Sequence, residues 1–506
     1  MGVFTELWDS GEALNLAILT LAIYGVCRSV YLLYFHPLAR FPGPKLAAIS
    51  ELSYVYHWLT GHYHEYIHKL HQTYGDVVRL APNELSFNTA QSLQDIYGNP
   101  SKSGQTFLKS SFYAGPSGYS TIVMERDPIK HKETKKLLSY GFSAKELQAQ
   151  EPILETNLDM LITQIDNQIA AEKQGLSLNK LLQSFVFDTI GELALGEAFG
   201  ALGTGTTHPW ISTIHGAIYF MSIVQIAPRL PILWLALPLV VPWSSIGQFI
   251  RFFKYQTSMT RKRLSRPSHE QKRDLFSFLL KEKPDNFLQV ASEEWLGNQA
   301  GVLIAAGFDT TAVTATAASY YLARRPEKMK RLQRELRERF SDASEMNGTS
   351  VHQLPYLSAC IEETMRIMPP LTFGLPRESP GAEVDGNFVP KGTVVSTSGW
   401  SITRRPDYFF EPEEFHPERW LPVSHEYFDP LFCNDLKEAS QPFSLGPRVC
   451  LGINLAYTEL KLLLARLAYE YNWDLVNDTR FDWDRERKFQ ALWVLPDLRV
   501  RYTRTT

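Results

Sequence analysis

The first strongly patterned stretch of the chain is apolar. From Ala13 to Phe35 it reads ALNLAILTLAIYGVCRSVYLLYF, with Arg28 as its one charge. As a helix this stretch reaches about 35 Å, enough for a bilayer core of roughly 30 Å. Glu6, Asp9 and Glu12 precede it, while His36, Arg40 and Lys45 come after it. That bias places the bulk of the chain on the cytoplasmic side. A cleaved secretory signal would need a basic leader and a small-residue cleavage site, and neither is present. The expected order is a short luminal N-terminus over 1–12, a retained transmembrane anchor over 13–35, and a hinge over 36–45. Phe41-Pro42-Gly43-Pro44 cannot continue a helix. On this topology the sequons at Asn347 and Asn477 never see the lumen and stay unglycosylated.

Past the hinge, one body over 46–506 is expected. Apolar positions recur there at three- and four-residue spacing over 180–194, 298–324 and 356–368, which predicts helices. Residues 76–87 predict a hairpin, and 383–398 a second β-rich patch with turns at Asp385-Gly386-Asn387 and Pro390-Lys391-Gly392. The expected fold class is mainly α with small β-sheets. Two further apolar stretches could be taken for membrane spans. Residues 217–243 are broken by Pro228, Pro231, Pro238 and Pro242, and predict a surface region that dips into lipid. Residues 299–323 hold Asp309 at their middle. An unpaired acid costs about 2.5–3.5 kcal/mol at a bilayer centre, so a buried soluble helix is expected. The basic stretch 261–273, with Lys262, Arg263, Arg266 and Lys272, reads as a solvated connection.

Composition adds exclusions. Net charge is −3 with both signs well represented, so nucleic acid is not an expected partner. The cysteines Cys27, Cys360, Cys433 and Cys450 are too sparse for a disulfide scaffold and contain no C-x-x-C pair for zinc. Free thiols in a reducing compartment are expected.

One of those cysteines carries chemistry. Phe443-Ser444-Leu445-Gly446-Pro447-Arg448-Val449-Cys450-Leu451-Gly452 has the pattern F-x-x-G-x-R-x-C-x-G. A lone cysteine before a helix is usually a small buried apolar residue. At average residue usage the whole pattern arises by chance roughly once in ten thousand chains of this length. It resembles the haem-binding signature of the cytochrome P-450 family.

The resemblance implies a haem b whose iron is held by Cys450, with Phe443 shielding the sulfur. Gly446 and Gly452 would let the backbone approach the porphyrin, and Arg448 would fork onto a propionate. A thiolate ligand pushes electron density to iron and favours O–O cleavage. Ala306-Gly307-Phe308-Asp309-Thr310-Thr311 resembles the family's oxygen-activation motif, about 140 residues before the cysteine. It implies a proton relay through Asp309 and Thr310, with Gly307 loosening the helix, although a helical threonine often only bonds back to a carbonyl. Glu363-Thr364-Met365-Arg366 is weak alone, because an i,i+3 ion pair is usually a surface feature. In the family it joins an arginine from a P-E-R segment, here Arg419, and the trio Glu363, Arg366 and Arg419 is expected to be structural. Pro376-Arg377 resembles a strand that supplies a second propionate contact.

Many members carry W-x-x-x-R over the propionates. This chain departs from that with His131 and Lys135, which can still donate to carboxylates. Lys132, Lys135 and Lys136 equally suit a basic surface for an acidic reductase. The segment Phe187-Asp188-Thr189-Ile190-Gly191-Glu192-Leu193-Ala194 resembles one common in fungal members.

The reaction so implied inserts one oxygen of dioxygen into an apolar small molecule, by hydroxylation or epoxidation, in fungal secondary metabolism; the pattern most resembles hydroxylases of trichothecene-type terpenoids. Electrons would come from NADPH through a separate reductase, with cytochrome b5 as a candidate second donor. The site of action would be the endoplasmic reticulum membrane, with a single span and a cytoplasmic catalytic domain. The substrate pocket is expected to be lined by 101–123, Ala305, Ala306, Thr310 and 371–374. A haem-dependent isomerase or dehydratase, a multi-step oxidase, and a haem sensor or structural membrane protein remain as alternatives.

Overall fold

The computed structural model describes residues 12–99, 106–115, 120–169, 175–204, 208–230, 242–266, 274–281, 292–477 and 481–505. The helices that bear on the site are α1 (Glu12–Val30), α2 (Pro128–Ser139), α3 (Leu178–Leu195), α4 (Pro209–Ile226), α5 (Trp243–Leu264), α6 (Glu293–Ala323), α7 (Pro355–Ile367) and α8 (Ile453–Glu470). The periodic stretches 180–194, 298–324 and 356–368 coincide with α3, α6 and α7, the largest difference being at the start of α6, which begins at Glu293.

Local chemistry sets the helix ends. α2 starts at Asp127, whose carboxylate accepts from the Ile129 and Lys130 N–H groups, with Pro128 in the first turn. α6 starts at Ser292, whose hydroxyl accepts from Trp295 N at 3.1 Å, and Glu293 and Glu294 complement the helix dipole. α6 is buried along much of its length and packs on α3, α5, α7 and α8, so it is the central helix of the body.

A five-stranded sheet lies to one side, built from β1 (Val77–Ala81), β2 (Glu84–Phe87), β3 (Leu108–Lys109), β4 (Arg377–Glu378) and β5 (Val394–Thr397), in the order β1-β2-β5-β4-β3. β1 and β2 are the expected hairpin. The second β-rich patch divides: Ala382–Val384 and Asn387–Val389 form their own hairpin around Asp385 and Gly386, both at positive φ, while β5 runs parallel to β2. The register of β3 against β4 sets Lys109 opposite Arg377.

α1 continues as a π-helical turn, Tyr31–Phe35. Ala13–Phe35 is long and apolar enough to cross a membrane, and only 6% of its most apolar window is buried against the body. The hinge does not swing free of the body. The Arg79 guanidinium donates to Leu32 O and Pro82 O at 2.7 Å each, and Arg79 N donates to Pro42 O at 2.7 Å. A side chain at Gly43 would place its Cβ 2.5 Å from Arg79 O, so glycine is required there.

Two expectations need correction. Residues 217–227 are the second half of α4 and the turn after it, not a broken stretch, with Ala217, Ile223, Ile226 and Ala227 in the core and 218–221, 224 and 225 half-exposed; residues 231–241 lie outside the described ones. Arg263 is not solvated. It is 1% exposed and grips Asp274 through two bonds of 2.6 and 3.1 Å, while 267–273 lie outside the described residues.

Candidate active site

The loop before α8 is set by two left-handed residues. Ser444 has φ +63° and Gly446 φ +64°. At Gly446 a Cβ would lie 2.4 Å from Tyr97 O and 2.7 Å from Gly98 C, both backbone atoms, so only glycine fits. Gly452 is looser, its nearest neighbour being a Phe142 ring carbon at 3.7 Å. Cys450 N donates to Phe443 O at 2.9 Å and closes the loop. The Phe443 ring packs on Tyr457 of α8 at 5.1 Å between centroids.

Cys450 presents accessible surface, yet it is surrounded densely enough that burial pushes its thiol up. Two groups oppose that push: the Gly452 N–H, which bonds to sulfur, and the charge of Lys135. Lys135 is tied to this loop. Its Nζ donates to Pro447 O at 2.9 Å and Val449 O at 3.4 Å. Lys135 is thereby held against two carbonyls of the cysteine loop, as Arg448 is held against two carbonyls of the segment before α2.

Beside the loop stands a group of cations. Arg377 is 3% exposed and lies over the Tyr97 and Tyr113 rings, at 5.2 and 5.8 Å. Arg448 donates to Glu125 O at 2.7 Å and Arg126 O at 3.2 Å. Burial, with Arg448 and Arg377 next to it, holds Lys109 down to about 6. Burial, then Arg448, Lys109, Lys135 and Arg377, hold His131 down to about 3. Burial and Arg377 lower Arg448 to about 10. Among the described residues, none of these groups has a carboxylate within 4.0 Å. Such a cluster is unfavourable alone and fits a ligand with two carboxylates, as a haem has. Lys109 carried no sequence signal, because strand pairing brings it to Arg377 from a distant part of the chain.

The Ala306–Thr311 segment lies in mid-α6. Ala306 is exposed and Thr310 half-buried there, within a helix whose flanks are core, so this face looks onto open space. The helix runs unbroken through Gly307, contrary to the expected loosening. A Cβ at Gly307 would lie 2.8 Å from Ile190 Cδ1, so the glycine is there to let α3 approach. The Thr310 hydroxyl donates back to Ala306 O at 2.7 Å. Asp309 is 1% exposed and bonds to His215 of α4, with Oδ1 and Nε2 2.8 Å apart. His215 was not legible in the sequence.

Glu363 and Arg366 share two bonds of 2.8 and 2.9 Å, with both side chains fully buried. Arg419 joins Glu363 at 3.0 Å and also pairs with Asp435. Trp420 Nε1 and His416 N donate to the same carboxylate, each at 2.9 Å. Burial alone would raise the Glu363 carboxyl; Arg366 and Arg419 overcome it and hold the group at about 2.

The expected substrate lining is described only in part, since residues 100–105 and 116–119 lie outside the described ones. Phe373 is 8% exposed and packs edge-on against Trp58 at 5.2 Å, with Phe112 and Phe489 adjacent. It therefore belongs mostly to an aromatic core. With Leu371 and Leu375 it also edges a cavity of about 50 Å³ against Ser444 and Leu445 of the cysteine loop.

The cytochrome P-450 family model matches residues 42–500. The chain is 43% identical over 502 residues to the cytochrome P-450 monooxygenase poxC of Penicillium oxalicum, which covers 99% of this chain and 96% of the relative. It is 41% identical to BOA3 of Botryotinia fuckeliana, covering 97% and 96%, and 36% identical to btcC of Colletotrichum orbiculare, covering 97% and 94%; both are likewise cytochrome P-450 monooxygenases.

Proposed function

Since the chain belongs to the cytochrome P-450 family and has its monooxygenase activity, using haem iron, dioxygen and electrons from a redox partner, we propose how its own residues serve that activity. The observation that carries the reading is the cation group of Arg377, Arg448, Lys109 and His131, without acidic partners among the described residues, beside the accessible sulfur of Cys450. Cys450 would hold the iron. Arg448 and Arg377 would take the propionates, with His131 and Lys109 completing the anion site. A haem held by thiolate supplies oxygen activation.

The chain's own residues do the rest. The Gly452 N–H and Lys135 stabilise negative charge on sulfur. Thr310, on the open face of α6, would present its hydroxyl toward the haem, with Asp309 next to it held by His215. The Glu363–Arg366–Arg419 network fixes α7 against the segment before the cysteine loop. Lys132 and Lys136 stand exposed on α2, on the face suited to an acidic NADPH flavoprotein reductase or to cytochrome b5. Residues 13–35 would make one span of the endoplasmic reticulum membrane, with 46–506 as the cytoplasmic catalytic domain. The fungal relatives support an apolar secondary metabolite as substrate.

The test uses full-length protein with an NADPH reductase in vesicles, given a metabolite extract from a host lacking the gene, under isotopically labelled dioxygen. A new product bearing one labelled oxygen is expected. A product formed without dioxygen and without label would instead establish the isomerase or dehydratase reading.

A further inference from the structure

The inner face of α4 carries one polar ring in apolar surroundings. Gly216 and Phe220 face α5, against Gln248 and Phe249, which turns His215 toward α6. There its Nε2 lies 2.8 Å from Oδ1 of Asp309, and the imidazole stacks over Phe308 at 5.8 Å and 26°. Ile214, Ala217, Phe308 and Asp309 beside it are all buried. Yet 39% of the His215 side chain is accessible, against 2% for Asp309. Accessible surface on a ring so enclosed belongs to an interior space, not to the outside of the molecule. Ala305 stands one turn before Asp309 on the same face of α6 and is half-buried, and Ala306 next to it is exposed. The space that reaches His215 is therefore the one over the middle of α6.

The pair leaves a single polar atom to that space. Asp309 accepts from the Nε2–H, which fixes the tautomer and leaves Nδ1 turned away from the carboxylate. Among the described residues, Nδ1 has no hydrogen-bond partner. Burial would lower the imidazole, but the hydrogen bond and charge of Asp309 outweigh it and leave the ring raised above 6.5. Among the described residues no other charge acts on it: Arg251 and Lys254 of α5 are exposed, and Arg229 after α4 is bound to Glu51 and Glu84. These conditions select the partner of Nδ1. A carboxylate would stand near that of Asp309 with no second cation. A carbonyl oxygen pairs with the charged ring alone, because neutral Nδ1 is an acceptor. A hydroxyl pairs with both forms, donating to the neutral ring and accepting from the charged one.

We propose that Nδ1 of His215 is the polar anchor of the substrate pocket, and that the substrate is an apolar molecule that already carries a hydroxyl group. The inference rests on the monooxygenase reading and narrows its substrate class. The hydroxyl bonds to Nδ1 at α4, and the apolar remainder lies along Ala305 and Ala306. The oxygen that this protein inserts is then at least the second on the molecule; a carbonyl reduction or an earlier hydroxylation has to supply the first. A hydrocarbon of the same shape fills the space but leaves Nδ1 unpaired, and is rejected for that reason.

The test measures binding of three matched probe pairs, decalin and decalol, adamantane and adamantanol, dodecane and dodecanol, to full-length haem-loaded protein in vesicles. Soret shift and calorimetry are the two readouts. Wild type is compared with His215→Phe, which keeps a ring on Phe308, and with His215→Leu; the double variant His215→Phe, Asp309→Asn serves if an unpaired Asp309 unfolds the single ones. Partition into lipid is common to all of them, so the change on substitution isolates His215. At least one alcohol should weaken about tenfold, the size of a hydrogen bond to a charged or polar partner, while its hydrocarbon changes less than two-fold. Across pH, decalone, an acceptor only, should lose affinity to the wild type as pH rises through the raised pKa of His215, and decalol should not. The inference is overturned if no alcohol is weakened more than its hydrocarbon, or if decalol loses affinity with pH as decalone does. If the wild type shows no thiolate-ligated carbon monoxide band, the monooxygenase reading itself fails, and the calorimetric comparison still decides whether His215 reads a hydroxyl.

Discussion

Placing Lys109, Arg377 and His131 beside Arg448, with Glu125 and Asp127 nearby but no ion pair to any of the four among the described residues, stores repulsion that a dianionic partner releases. Arg377→Ala should therefore weaken haem retention. A charge-assisted hydrogen bond contributes about 1.5–3 kcal/mol, so the expected loss is roughly ten- to a hundred-fold. Haem content after dilution, with far-UV circular dichroism as control for folding, checks it. A different titration acts on stability. His64 is fully buried among Trp400, Phe489 and Trp493, neither ring nitrogen has a hydrogen-bond partner, and burial holds it down to about 2. The unfolded chain binds this proton first, so stability falls as pH drops below 6.5, by about 1.4 kcal/mol per pH unit. His64→Phe should raise Tm at pH 5 (~1.5 units below the ordinary histidine value) more than at pH 8; equal Tm shifts at both would refute this origin. Cys450, Glu363, Arg366 and Arg419 were legible because each sits in a local motif. Lys109, His215 and Asp435 were not, because each acquires its role from a partner far along the chain.

At the scale of elements, periodicity located α3, α6 and α7 to within a few residues, since one face of each is core. It did not register 217–227 as helix or Arg263 as interior: the first is the second half of α4, half of it facing the core, and the second is buried with Asp274. The proline and basic residues there end or pair at helix termini, which periodicity does not register. Gly307 shows the same limit. The motif suggests a flexible helix, whereas the space is taken by Ile190 of α3. Gly307→Ala should thus cost about 1–3 kcal/mol through overpacking, and Ile190→Val in the same chain should recover part of it. Denaturant midpoints of the single and double variants measure the coupling; strict additivity would show that α3 does not press on this glycine.

For the whole molecule, the anchor and the body meet through Arg79, which takes carbonyls from both Leu32 and Pro82. The apolar pattern of 13–35 made the anchor legible, but not this clasp, because a β1 arginine gives no hint that it binds the end of a helix. Removing residues 1–35 should release the protein from vesicles while leaving its haem spectrum intact, since the anchor adds little to the core. Arg79→Ala in the full chain should leave it membrane-bound but make the hinge more open to protease.

The central claim is that the sulfur of Cys450 holds the haem iron, and the most direct measurement is the difference spectrum of the reduced protein with carbon monoxide, beside that of Cys450→Ser. The account predicts the red-shifted Soret band of thiolate ligation in the wild type and its loss in the variant. Full-length protein that incorporates no haem, or a Cys450→Ser variant that keeps the same band, would contradict it.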